Sequence, residues 1–180
     1  MKIKSLLLIV MISFLLLSCG VTLDEVTNQT RIDVENYIQD NFKEYNLKLE
    51  TIDLIKNENN YKGTVSILYK EEKTEFPITV IIKDKEYSYD FIIHAMKIKG
   101  IAEDSAKKLL EDKINEDGWA KENDLSVKEI NLYPETDNSY EGLVTFIHSG
   151  KEHKTDITFR YDKNGGYMYS LANDAFSFLF

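Results

Sequence analysis

The chain has 180 residues with 22 basic and 31 acidic side chains and a formal net charge of −9. That balance argues against nucleic acid and against adhesion to anionic lipid headgroups, both of which need basic patches. The length suits one compact domain or two small ones, and the lone cysteine excludes any disulfide within the chain.

Lys2 and Lys4 make a basic start, and Ser5 to Leu17 is an almost unbroken apolar run. The run is too short and too near the start for a transmembrane span, so residues 1–18 read as an export signal. Leu16-Leu17-Ser18-Cys19 at its end, with a small residue directly before the only cysteine, resembles the lipobox of bacterial lipoproteins. The resemblance implies cleavage before Cys19, its diacylation, and a protein held on the membrane facing away from the cytoplasm. By the sorting rule of some two-membrane bacteria, Gly20 in place of aspartate implies the outer membrane. Removing 18 of 180 residues leaves 162, with 20 basic and 31 acidic side chains and a net charge of −11. Such a surface fits solubility.

Residues 19–22 form a short lipidated tether with no Gly, Ser or Pro stalk after Gly20, which sets the globule against the bilayer. Thr22-Leu-Asp-Glu25 fits a capping box, so the first helix starts there. Val34, Tyr37, Ile38 and Phe42 carry its apolar pattern. In a second helix, Leu109, Leu110, Lys113 and Ile114 take that part, with Asp104 or Ser105 as cap and Ile93 to Gly100 as the join.

After each helix comes a matching run of strands. Tyr61-Lys-Gly63-Thr-Val65-Ser-Ile67 corresponds to Tyr140-Glu-Gly142-Leu-Val144-Thr-Phe146, at a constant offset of 79. The match continues through Phe76–Asp84 against Thr155–Lys163, and then Tyr87-Ser-Tyr89 against Tyr167-Met-Tyr169. Alternation puts Val65, Ile67, Tyr69, Phe76, Ile78, Val80 and Ile82 on one face, and Val144, Phe146, Ile157, Phe159 and Tyr161 likewise. Hairpin tips are expected at Glu71-Glu72 and Gly150-Lys151, and further turns at Asp84-Lys85 and Lys163-Asn164-Gly165-Gly166. Gly63 and Gly142 read as bulges or close helix contacts. The fold class is therefore α+β: two tandem repeats, 23–95 and 96–180, each one helix packed on an antiparallel sheet of about four strands. This doubled pattern resembles the beta-lactamase inhibitor proteins and PepSY-like envelope domains. The resemblance implies a binding role and carries over no functional residue.

No Gly-x-Ser-x-Gly elbow, Gly-rich phosphate loop or His-Glu-x-x-His is present, and an acylated Cys19 is no nucleophile. The acids, Glu71, Glu72, Asp84, Asp90 and Glu116 among them, fall at turns and solvated faces. No catalytic residue and no cofactor is expected. His148 and His153 would face each other across the expected hairpin and are the only metal candidates; the reading taken is a cross-strand pair without metal. The repeated tyrosines, 61, 87, 89, 140, 167 and 169, read as core or core edge. Trp119 is open between a cap contact and an exposed anchor. Ala175-Phe-Ser-Phe-Leu-Phe180 is too apolar for solvent and is expected to pack between the repeats or along the second helix. The function expected is a lipid-anchored binding or interaction module with a protein partner. The alternative is a small-ligand carrier or an accessory of an envelope enzyme or assembly complex. An apolar pocket would favour the carrier, and an exposed patch with Leu68, Ile81, Leu143 or Ile147 the protein binder.

Overall fold

The computed structural model describes residues 21–161, 167–173 and 175–176, excluding the side chains of residues 119 and 121. The leader, Cys19, the Lys163–Gly166 turn, the Trp119 side chain and Ser177–Phe180 lie outside the described residues. In chain order the elements are α1 (Leu23–Asn41), β1 (Lys48–Asn57), β2 (Asn60–Tyr69), β3 (Glu72–Lys83), β4 (Glu86–Asp90), α2 (Lys99–Glu116), a short α3 (Gly118–Glu122), β5 (Ser126–Thr136), β6 (Ser139–His148), β7 (Lys151–Tyr161) and β8 (Tyr167–Leu171). The strands form two four-stranded sheets, β1-β2-β3-β4 and β5-β6-β7-β8, each in sequence order. Every pairing described in register is antiparallel. The fold class is α+β.

Contacts divide the chain into two compact units. The first takes residues up to Asn41, Lys48–Ile67 and Glu75–Ile92; the second takes Phe42–Leu47, Leu68–Thr74 and everything from Ile93. In the first, Val26, Thr30, Val34 and Ile38 form a buried stripe of four-residue spacing on α1. Val65, Ile67, Phe76, Ile78 and Val80 are the buried face of its strands. The capping box forms as read: the Thr22 backbone N–H donates to Glu25 Oε2 at 2.8 Å, and the Glu25 N–H donates to Thr22 Oγ1 at 3.2 Å. Those hydrogen bonds hold the Glu25 carboxyl below its ordinary range. Tyr61 donates to the Val21 carbonyl (3.3 Å), and Tyr89 donates to the Asp33 carboxylate on α1.

The second unit buries Ile98, Ile101, Ala102, Ala106 and Leu110 with Val127, Ile130, Leu132, Val144, Phe146, Ile157 and Phe159. Its helix begins at Lys99, with Ile98 at the cap position and no side-chain cap, so Asp104 and Ser105 lie inside the helix. Burial of Ile98 and Ile101 extends the helix backward past them, and the Asp104 carboxylate is used elsewhere. A short 3-10 turn, Ala95–Lys97, precedes it. The Tyr140 hydroxyl donates to the Met96 carbonyl at 2.7 Å, the counterpart of Tyr61 on Val21.

The strands meet one expected turn and correct other details of the sequence reading. The Asp84-Lys85 turn is where expected, with positive φ at both residues (51° and 69°), as a two-residue type I′ hairpin requires. The β6–β7 tip is Ser149-Gly150 (φ 50° and 75°), one residue earlier than Gly150-Lys151, so His148 opposes Lys151 and His153 opposes Phe146. The β2–β3 tip shifts by the same residue, to Lys70-Glu71. Moving a turn by one residue moves each partner by two and preserves the faces, so the alternation alone does not locate the tip. Gly63 and Gly142 face neighbouring strand backbone rather than a helix: a Cβ would lie 1.7 Å from the Asp53 carbonyl oxygen at the first and 2.0 Å from that of Asn131 at the second. Tyr167, read as core edge, is 44% exposed, because β8 is the last strand of its sheet.

Candidate functional site

In the second unit, the end of α2 turns Leu110, Lys113 and Ile114 to one side, the i, i+3, i+4 positions of a helical face. The helix stops at Asp117. From there α3 brings Ala120 back, and the Leu125 N–H closes the turn by donating to the Ala120 carbonyl at 3.1 Å. On the sheet side stand Phe146 from β6 and Tyr169 to Leu171 from β8. β8 pairs only with Ile157–Tyr161. The half of β7 nearer the hairpin tip, where His153 faces Phe146, therefore has no fourth strand beside it in the described ladder. The space left is a pocket of about 510 Å³, walled by Leu110, Ile114, Ala120, Leu125, Phe146, Leu171 and Phe176, with Lys113, Asp117 and Ser170 as its polar members. Its size and apolar walls with few polar groups are those of a small-ligand site.

After β8 the chain turns back. The Ala175 N–H donates to the Ala172 carbonyl at 2.9 Å, and Ala175 is buried. Phe176 then places its ring 5.5 Å from that of Phe146, tilted by 49°. Of the apolar tail expected to pack between the repeats or along the second helix, Phe176 lines the pocket with Leu110 and Ile114, and residues 177–180 lie outside the described residues.

Other polar clusters in this unit are spent on structure. Asp104 accepts from the Tyr69 hydroxyl at 2.5 Å and from Lys70 Nζ at 2.8 and 2.9 Å. Burial and the Asp104 charge push Tyr69 up to about 12. Partial burial works against Asp104 ionisation, yet Lys70 and Tyr69 hold its carboxyl below the ordinary range. Glu103 accepts from the Leu132 N–H (2.9 Å) and pairs with Lys99 (2.9 Å), which also reaches Glu72 (3.4 Å).

His148 and His153 stand on one face of the β6–β7 hairpin with ring centroids 6.3 Å apart. Among the described residues no group of three His, Cys, Asp or Glu is placed to hold a metal. Of the apolar residues named for an outward patch, Ile81 and Leu143 are exposed while Leu68 and Ile147 are half-buried. Leu143 sits between Asn131 and Asp156 in register, and Ile147 opposite Glu152, so polar neighbours interrupt that face. The pocket was missed because its walls read as ordinary core. The available signal was the apolar stripe of α2 continuing to Ile114.

No described helix is long and apolar enough to cross a membrane. The class defined by fold and site is an α+β protein with an apolar pocket beside its second long helix. No family model, curated protein or solved structure matches the chain.

Proposed function

We propose that this protein is a non-catalytic binding module, held by lipid on Cys19 at the outward side of a membrane, that takes an apolar group into the pocket beside α2. The observation that carries the binding role is that pocket, roomy and apolar, with Lys113, Asp117 and Ser170 among its lining residues. Two repeats, each a helix on its own sheet as in the beta-lactamase inhibitor and PepSY-like pattern, are the scaffold of this reading. It is supported by Tyr61 and Tyr140, which both reach the backbone just ahead of a helix. The anchor rests on Leu16-Leu17-Ser18-Cys19, with two acyl chains giving the stable attachment that one does not. In a two-membrane organism the outer membrane is its place.

The anchor is tested by growing producing cells with labelled palmitate: label lost in Cys19→Ala supports it, and label retained or never incorporated refutes it. Pocket binding is tested by titrating the mature chain without its leader with the neutral dye N-phenyl-1-naphthylamine. Saturable binding abolished by Ile114→Glu supports the pocket. A second reading, contact with a protein through the outward face of the second sheet, is favoured by Tyr133 and Met168, which are 61% and 68% exposed. A partner captured from solubilised envelope and lost in Tyr133→Ala with Met168→Ala supports it.

A further inference from the structure

The second unit holds another cavity, of about 330 Å³, that shares no lining residue with the apolar pocket. Tyr45 enters it from the 3-10 turn Lys43–Tyr45, His94 and Lys97 from the stretch ahead of α2, Asp137 and Asn138 from the β5–β6 turn, and Tyr161 and Tyr167 from the end of β7 and the start of β8. We propose that this cavity is a second ligand site and that it takes a sugar ring of a neutral glycan.

The rings are fixed by the protein itself. Tyr161 donates its hydroxyl to the Asp137 carbonyl at 2.5 Å and sets its ring 6.5 Å from that of Tyr140, whose own hydroxyl is tied to Met96. Tyr167 stacks on the fully buried Phe159, 6.2 Å between centroids and 20° between planes, and is still exposed. Aromatic side chains already held in place at a concave surface are a prepared stacking platform, because little rotamer freedom is left to lose on binding.

The polar groups decide the class of ligand. Unlike those around Asp104 and Glu103, they line open space. Lys97 pairs with Asp137 at 3.5 Å, so both signs are present and balance. His94 and Asn138 add an imidazole and an amide, each able to donate and to accept. The Asn138 backbone is pinned: its N–H donates to Thr136 Oγ1 at 3.3 Å, and its carbonyl accepts from the Tyr161 N–H at 3.1 Å. A wholly apolar ligand would strip water from these groups and give them no partner. A cation would meet Lys97, and an anion Asp137. A pyranose ring suits both halves of the site: its C–H groups lie against the negative faces of the tyrosyl rings, and its hydroxyls, each donor and acceptor, match the amide, the imidazole and the ion pair. Tyr45 and Tyr167 also line an adjoining hollow of about 450 Å³ against α2, with Ser105 and Lys108. The ligand is therefore a chain of sugar rings rather than a single one.

This site does not depend on the apolar pocket's being one. It is tested by saturation-transfer NMR on the mature chain without its leader, using the neutral trisaccharides maltotriose, cellotriose and chitotriose. At least one is expected to bind saturably through its ring C–H protons, and more tightly than its own monosaccharide. Tyr167→Ala is expected to weaken that binding about fivefold. Asn138→Ala, in an exposed turn, is expected to weaken it about threefold with thermal unfolding unchanged. Binding of none of the three, or binding that Asn138→Ala leaves as tight, overturns the proposal. Equal affinity for a trisaccharide and its monosaccharide overturns the extension into the second hollow. Tetramethylammonium bound in place of the sugars, and lost in Tyr167→Ala, overturns the glycan in favour of a cation held by the rings.

Discussion

The two long helices begin by different means. α1 opens on a reciprocal pair of side-chain hydrogen bonds, Thr22 with Glu25, written entirely in four consecutive residues. α2 opens on Ile98, which has no side-chain cap and is fully buried, so packing rather than local chemistry sets its first turn. A helix end fixed by capping is independent of the rest of the fold and modest in energy; one fixed by burial depends on the whole core. The backbone just ahead of each accepts a hydrogen bond from a strand tyrosine, Val21 from Tyr61 and Met96 from Tyr140.

Substitutions at the two starts should separate these modes. The largest effect is expected for Ile101→Ala, which removes a fully buried side chain one turn into α2 and should cost about 3 kcal/mol in urea unfolding. A cost below about 1 kcal/mol would mean the helix start does not depend on core packing. Tyr140→Phe comes next, at about 1.5 kcal/mol, because it leaves the buried Met96 carbonyl without its 2.7 Å donor. Tyr61→Phe, with the longer 3.3 Å bond, should cost about a third of that; equal costs would show that bond length is not what distinguishes the pair. Thr22→Ala is expected to cost about 1 kcal/mol, with hydrogen exchange quickening only over the first turn of α1. Exchange quickening along the whole of α1 would refute a purely local role.

A further small effect concerns Asp104, the residue that looked like the cap of α2. Its carboxyl is depressed in the folded state. Its contribution is therefore present above the ordinary carboxyl range and is lost as pH falls through the lowered folded value. With the Asp104 side chain 48% exposed, Asp104→Asn should cost no more than ~0.5 kcal/mol and should flatten the acid limb of the stability curve slightly. Tyr69 acts at the other extreme. Its ionisation, pushed up to about 12, removes stability as pH rises from the free tyrosine value near 10.

The same contrast explains what was legible in the sequence. The α+β class, the strand faces, the Asp84-Lys85 turn and the start of α1 are local or periodic, and periodicity survives any detail of packing. The start of α2 was misread because Asp104 has the right chemistry for a cap and the wrong neighbours: Tyr69 and Lys70, distant in sequence, claim its carboxylate. The hairpin tips slipped by one residue because the alternation is blind to a shift that keeps the faces. Gly63 and Gly142 read as bulges or close helix contacts; that strand backbone lies against them follows only from register. The pocket depends on where β8 stops pairing, which no short window of sequence contains.

Strand order within each sheet follows the chain without a crossover, and this bears on how quickly order is gained. Each strand finds its partner across a turn of two residues wherever the turn is described, so loop closure is cheap and the average separation of contacting residues stays low for a protein with this much sheet. The first sheet is complete once Asp90 is available and waits for no strand encoded downstream.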